Sequence, residues 1–209
     1  MSDTPEIGVL MTTGMSLEKW ERQGFLNREL AIYGKLADSL TARIVFISYG
    51  GEKEVEYLGG DNRFGVVPKA VTGIGDLTYS FLAGRILKPV WQRLSLLKSN
   101  QMRGSWVALN PQRTLKLPFV LRCGVEWLEG LELTGRGSAP YRAAVSAVER
   151  HLYRRADAVM LPSPSSAEFV KSRFQIDPEK IRVFMNSIDC DTRNSFLFRK
   201  RNPQLFKRR

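Results

Sequence analysis

The chain has 209 residues, which suits one domain of generous size, and a hydrophobic fraction of 43% that is ordinary for a globular core and argues against disorder of the whole. Six of its eleven net positive charges fall in RKRNPQLFKRR, residues 199–209, which reads either as a solvated end or as a contact for an anionic membrane surface. Cys123 and Cys190 form no C-x-x-C pair, so neither a disulfide framework nor a zinc site is expected, and a reduced, cytoplasmic setting fits.

Taken in chain order, the first apolar run predicts a strand at 7–11, followed by Thr12-Thr13-Gly14-Met15 and a helix. Glycine there lets the backbone approach a ligand closely, and a helix N-terminus offers N–H groups to phosphate oxygens; the competing reading is a glycine needed only for a tight turn. The loop is no G-x-G-x-x-G, and no acidic residue closes the second strand before Tyr49, so a dinucleotide role is not supported. In the helix, Leu26, Leu30, Tyr33 and Leu40 make a buried stripe. Arg28 therefore lies on another face, as a surface cation or salt-bridge partner or as a ligand contact.

Strands are predicted next at 43–48 and 65–67. Between Tyr79 and Lys98, Phe81, Leu82, Ile86, Leu87, Val90, Trp91, Leu94 and Leu97 alternate with Arg85, Lys88, Arg93 and Lys98. This pattern fits an interfacial helix or a helix packed on a sheet, and Pro89 breaks or kinks it in either case. A strand at 96–101 leads into a loop through Asn100, Gln101, Gly104 and Trp106. Its amides suit sugar hydroxyls and its indole suits a pyranose face; equally, Trp106 is core and Gly104 a turn. A strand at 118–123 ends in Arg122-Cys123-Gly124-Val125-Glu126-Trp127. Guanidinium, carboxylate and indole together suit a hydroxylated or charged ligand, and Glu126 is a candidate proton acceptor. A structural Arg122–Glu126 pair competes.

Val145, Val148 and Leu152 give the next helix its apolar stripe, with Arg150, Arg154 and Arg155 toward water. The run 158–161, closed by Pro162, predicts a strand buried on both faces. Ser165 and Glu168 form a capping box for a helix carrying Ala167, Val170 and Phe174. A last strand at 182–184 precedes a polar turn built on Asn186 and Asp189. Alternation of strand and helix predicts an α/β fold: a single Rossmann-like domain with a mostly parallel sheet flanked by helices. In such sheets ligands bind beyond the carboxyl ends of the strands, where strand order reverses.

The order of ADAV at 156–159, a strand ending in Pro162-Ser163, a Ser- and Glu-bearing helix, KIRV at 180–183 and N-x-I-D at 186–189 resembles the N-terminal half of family 4 glycosyltransferases. Residues 11–30 resemble the glycine-containing loop and following helix of those enzymes, and 116–127 the strand and loop before their acceptor pocket; together the resemblance covers most of 6–190. It implies the acceptor-side half of a retaining GT-B enzyme at 1–190, with 191–209 as a basic tail. It also implies that Thr13 and Gly14 face a donor diphosphate and that Asn186 and Asp189 form the interdomain turn; Arg28, Asn100, Gln101, Trp106, Arg122, Gly124, Glu126 and Trp127 are the candidates for acceptor or sugar contacts.

The donor would be a nucleotide sugar, held mainly by a C-terminal domain or separate subunit that this sequence lacks, so the chain alone is expected to be inactive. The acceptor would be a sugar or a lipid-linked sugar; neither a cofactor nor a metal is expected, and nucleic acid is not favoured. A binding module docking on a membrane or on a partner protein is the alternative. His151 falls within a predicted helix, whereas many members of that family carry a histidine in a loop near the sugar.

Overall fold

The computed structural model describes residues 4–124 and 127–184. The expected positions of Glu126, of the turn at Asn186 and Asp189, and of the tail at 191–209 lie outside the described residues. Seven strands form one sheet: β1 Glu6–Leu10, β2 Arg43–Ile47, β3 Phe64–Val67, β4 Leu94–Ser99, β5 Phe119–Arg122, β6 Ala158–Leu161 and β7 Ile181–Val183. Their order is β3-β2-β1-β4-β5-β6-β7, and every adjacent pair is parallel. Each strand lies within two residues of the one expected, because short apolar runs bounded by polar turns mark the strands of a parallel sheet packed beneath helices.

The helices are α1 Leu17–Arg22, α2 Leu26–Leu40, α3 Asp76–Ile86, α4 Lys88–Trp91, α5 Leu109–Leu115, α6 Trp127–Leu133, α7 Ala139–Arg155 and α8 Pro164–Phe174. They bury the sheet unequally. On one face, Leu17 and Trp20 of α1 and Leu26, Tyr33 and Ala37 of α2 pack over Ile7, Val9, Ile44, Phe46 and Phe64. Phe46 is the hub there, with Trp20, Tyr33 and Phe64 ring centroids 5.8, 5.3 and 6.0 Å away. On the other face a larger cluster joins Tyr79, Trp91, Val145, Tyr153 and Phe174 to Leu97, Phe119, Leu121, Val159 and Leu161. Val120, Ala158 and Met160 share the α1–α2 face, by register with Lys98, and they stand outside both clusters.

Five expected details differ. Leu40 is 51% exposed, because it falls in the last turn of α2 beside the left-handed cap Thr41, where the chain leaves the helix. Val148 is 38% exposed, and the buried stripe of α7 runs instead through Val145, Glu149 and Leu152. The capping box at Ser165 and Glu168 is replaced by Ser163, whose hydroxyl accepts from the Ser166 N–H at 3.0 Å, since Pro164 is well suited to the first helical position and starts α8 earlier.

The apolar segment from Tyr79 to Lys98 is no single helix. α3 ends at Ile86 with Leu87 as its cap, Pro89 sits in the first turn of the short α4, and Leu94 and Leu97 belong to β4. Trp91, which the interfacial reading exposed, is buried and donates its indole N–H to the Gly84 carbonyl at 3.0 Å. The helix expected after the first loop is likewise two, broken at Gly24 with φ of 71°.

Candidate functional site

Strand order reverses between β1 and β4, and the loops leaving β1, β4 and β5 meet at that point. Thr13 N–H donates to the Arg103 carbonyl at 3.2 Å, and Asn100 N–H to the Leu10 carbonyl at 2.8 Å. Gly124 N–H donates to Gln101 Oε1 at 2.8 Å, and the Arg103 guanidinium lies 5.6 Å from the Trp127 ring centroid. The close approach of the first two loops depends on Gly104. Its φ is +95°, and a Cβ there would stand 2.7 Å from Thr13 Oγ1. Thr13, Asn100, Gln101, Arg122, Gly124 and Trp127 are thus brought to one edge of the sheet.

Supports hold these loops from beneath. Ser99 Oγ accepts the Arg122 N–H at 2.9 Å and donates to the Arg122 carbonyl at 3.2 Å, tying β4 to β5 at their carboxyl ends. Glu149, fully buried in α7, accepts the N–H groups of Trp127 and Leu128 at 2.8 and 3.3 Å. A carboxylate at the start of α6 satisfies donors that the first helical turn leaves open. Trp127 also meets Tyr141 edge-on at 6.2 Å.

The start of α1 is already occupied by the chain's own acceptors. Ser16 Oγ takes the Lys19 N–H at 3.1 Å, and the buried Glu54 carboxylate takes the Glu18 N–H at 3.3 Å. What this loop presents outward is the Thr13–Gly14 backbone, with Gly14 at φ of +79° and its carbonyl accepting from Lys19 Nζ. The Tyr49 hydroxyl sits beside Thr13 and Ser80, and burial pushes it up to about 12.

On the α2 face the site gains a charge. Lys98, Asn100 and Arg122 point the same way as α2, since alternate residues of a strand share a face and Lys98 pairs in register with Val120. Lys98 Nζ donates to Tyr33 Oη at 2.9 Å and to the Ser99 carbonyl at 3.4 Å; Tyr33 Oη in turn donates to Asn100 Oδ1 at 3.3 Å. Arg122 donates to the Asn100 carbonyl at 3.0 Å. Desolvation first, and then the positive charge of Arg122, lower the Lys98 ammonium to about 7, with Glu29 opposing. Burial, seconded by Glu29, raises the Tyr33 phenol far above its ordinary value.

Other candidates sit elsewhere. Arg28 pairs with Glu29 at 2.6 Å and lies over the Phe25 ring at 5.0 Å. Trp106 donates its indole N–H to Ser80 at 3.0 Å and stacks on Phe81 at 5.5 Å, on the α3 side. His151 is exposed near the end of α7, which leads into the start of β6 and therefore to the opposite edge of the sheet. Among the described residues no group of three or more His, Cys, Asp or Glu could hold a metal ion. Reading by pattern did not bring Lys98, Tyr33 and Glu149 to the candidate site, where the structure places them. Lys98 had a signal, since a charge inside a central parallel strand is rarely tolerated without a reason.

Comparison with known proteins agrees with this geometry. The family described as Glycosyltransferase Family 4 matches residues 35–192. Among solved structures, HepE from Anabaena, crystallised with UDP, is 16% identical with a TM-score of 0.59, over 96% of this chain and 50% of that one. Sucrose-phosphate synthase from Thermosynechococcus elongatus is 9% identical with a TM-score of 0.65, over 90% and 49%. A glycosyltransferase from Rickettsia africae is 14% identical with a TM-score of 0.56, over 91% and 45%. The chain therefore spans about half the length of these structures, and at such identities they show the fold alone. No curated protein matches by sequence. With the family matched over most of its length and the sheet of a Rossmann-like half of a GT-B fold, this chain belongs to Glycosyltransferase Family 4.

Proposed function

We propose that the chain is the acceptor-side half of a retaining glycosyltransferase that uses a nucleotide-sugar donor. One observation carries the reading: three loops bearing amide, guanidinium and indole groups converge at the strand-order reversal of a lobe that spans half of its structural neighbours. Gln101, Arg122, Gly124 and Trp127 would read acceptor hydroxyls. The outward Thr13–Gly14 backbone would face the donor diphosphate across a cleft completed by a C-terminal domain or a separate subunit. Glu126 is carried forward as the proton acceptor, and Asn186 and Asp189 as the turn into the second lobe.

Transfer needs both substrates held together with water excluded, so the 209-residue chain alone should release no nucleoside diphosphate from a nucleotide sugar. Saturation-transfer NMR should show it binding saccharides but not nucleotide sugars. Turnover by the purified chain, or saccharide contacts that are unchanged in Trp127→Ala, would refute the reading.

A second reading is favoured by the outward face of α3. Leu77, Phe81, Leu82 and Ile86 are exposed there, Phe81 by 66%, and Arg85, Lys88 and Arg93 are exposed among and beyond them. An apolar patch edged by cations suits an anionic lipid surface, and peripheral membrane contact from the cytoplasm goes with it. No helix of the described residues is long and apolar enough to cross a membrane. Co-sedimentation with phosphatidylglycerol vesicles, weakened in Phe81→Ser/Leu82→Ser and absent with phosphatidylcholine, is the expected result; equal binding by the double variant would exclude this face.

A further inference from the structure

Lys98 is a lysine in the central strand of the sheet, partly buried against α2, and among the described residues it forms no ion pair. Its ammonium has two hydrogen-bond acceptors, Tyr33 Oη at 2.9 Å and the Ser99 carbonyl at 3.4 Å. Among the described residues the one carboxylate acting on it is Glu29, which is engaged by Arg28 at 2.6 Å. Val9 and Met11 on the neighbouring strand β1 side contribute only apolar surface. Arg122 from β5 adds a second cation on the same face, and Asn100 joins both groups through Tyr33 Oη and its own carbonyl.

An apolar side chain would fill this position at less cost, since a desolvated cation without a counter-ion is unfavourable. The ammonium and the guanidinium stand at the carboxyl ends of β4 and β5, where ligands of such sheets bind.

Resting on the acceptor-side reading above, we infer that Lys98, Tyr33 and Arg122 form a subsite for an anionic group on the acceptor, a phosphate monoester or a carboxylate. The entering anion supplies the counter-ion that Lys98 lacks, and the Tyr33 hydroxyl fixes the direction of its N–H bonds. Because desolvation and Arg122 already hold the free ammonium down to about 7, an anion beside it raises it again. Binding above neutral pH therefore takes up a proton. Affinity is full below the midpoint of the free lysine and is lost as pH rises above it.

The experiment is a pH titration of the lysine Cε resonances of the 13C-lysine-labelled 209-residue chain, with Lys98 assigned by its absence in Lys98→Met. It is run alone and with glucose 6-phosphate, glucuronate or glucose. The expected result is an upward move of the Lys98 midpoint with one or both anionic sugars and none with glucose. Charge-assisted hydrogen bonds should favour the anionic sugar by about tenfold over glucose, a preference lost in Lys98→Met and partly kept in Lys98→Arg. The two anionic arms decide between phosphate and carboxylate.

A Lys98 midpoint that neither anion moves overturns the subsite. So does a preference that survives in a folded Lys98→Met. If glucose binds while the anions gain nothing, the subsite falls and the acceptor-side reading stands; if none of the three sugars perturbs Gln101, Gly124 or Trp127, both fall.

Discussion

Lys98 carries its charge at the expense of the fold. Its ammonium sits near 7 when folded and near its ordinary value when unfolded, so between those pH values the unfolded chain binds more protons and stability rises with pH. Discounted for its partial exposure, the rise from pH 7 to pH 9 should amount to about 1–2 kcal/mol in denaturant titrations and should vanish in Lys98→Met, which should also be the more stable protein at pH 7. Gly104 shows the opposite case, a residue whose absence of side chain is required. Gly104→Ala sets a Cβ against Thr13 Oγ1 at a φ of +95°, and should lower stability by about 2–3 kcal/mol while shifting the backbone resonances of Thr13. Residue types alone made Arg122, Gln101 and Trp127 legible as candidates, and the fold brings all three to the carboxyl ends of the strands. The Lys98–Tyr33–Asn100 chain was not legible, because it joins a strand to a helix more than sixty positions away and Tyr33 reads as core.

At the scale of elements, the strands were readable because the covered face of a parallel strand leaves little choice of residue, and all seven fell where the apolar runs lie. Helix ends were less so. Pro164 moved the start of α8, and Glu149 displaced Val148 from the stripe of α7 because a carboxylate was needed beneath α6. No periodicity shows that a charged residue is turned inward to cap a neighbouring helix. Glu149→Ala should expose the Trp127 and Leu128 N–H groups to an apolar surround and lose about 1–3 kcal/mol by thermal or chemical denaturation. The junction of α3 with the segment after β4 is equally tight: a Cβ on Gly84 would meet the Val107 carbonyl at 2.9 Å and Asn110 Cβ at 3.0 Å. Gly84→Ala, although it favours helix in isolation, should therefore destabilise by about 1–3 kcal/mol.

For the whole molecule, the alternation of strand and helix was enough to give a parallel sheet, and the ordered motifs were enough to give the family. The strand order, and with it the meeting of the β1, β4 and β5 loops, came only from the structure, since sequence does not state which strands become neighbours. The two apolar clusters are also offset, so that β1 and β2 are buried on both faces, while among the described residues β6 and β7 are covered on one. That asymmetry sets how the fold loosens. Amides of Val9, Leu10, Phe46 and Ile47 should exchange with solvent deuterium only through global unfolding, whereas those of Met160, Leu161 and Val183 should exchange through a smaller opening that peels α8 and the β7 edge away together. Whatever covers the second face of β6 and β7 would make the two rates converge.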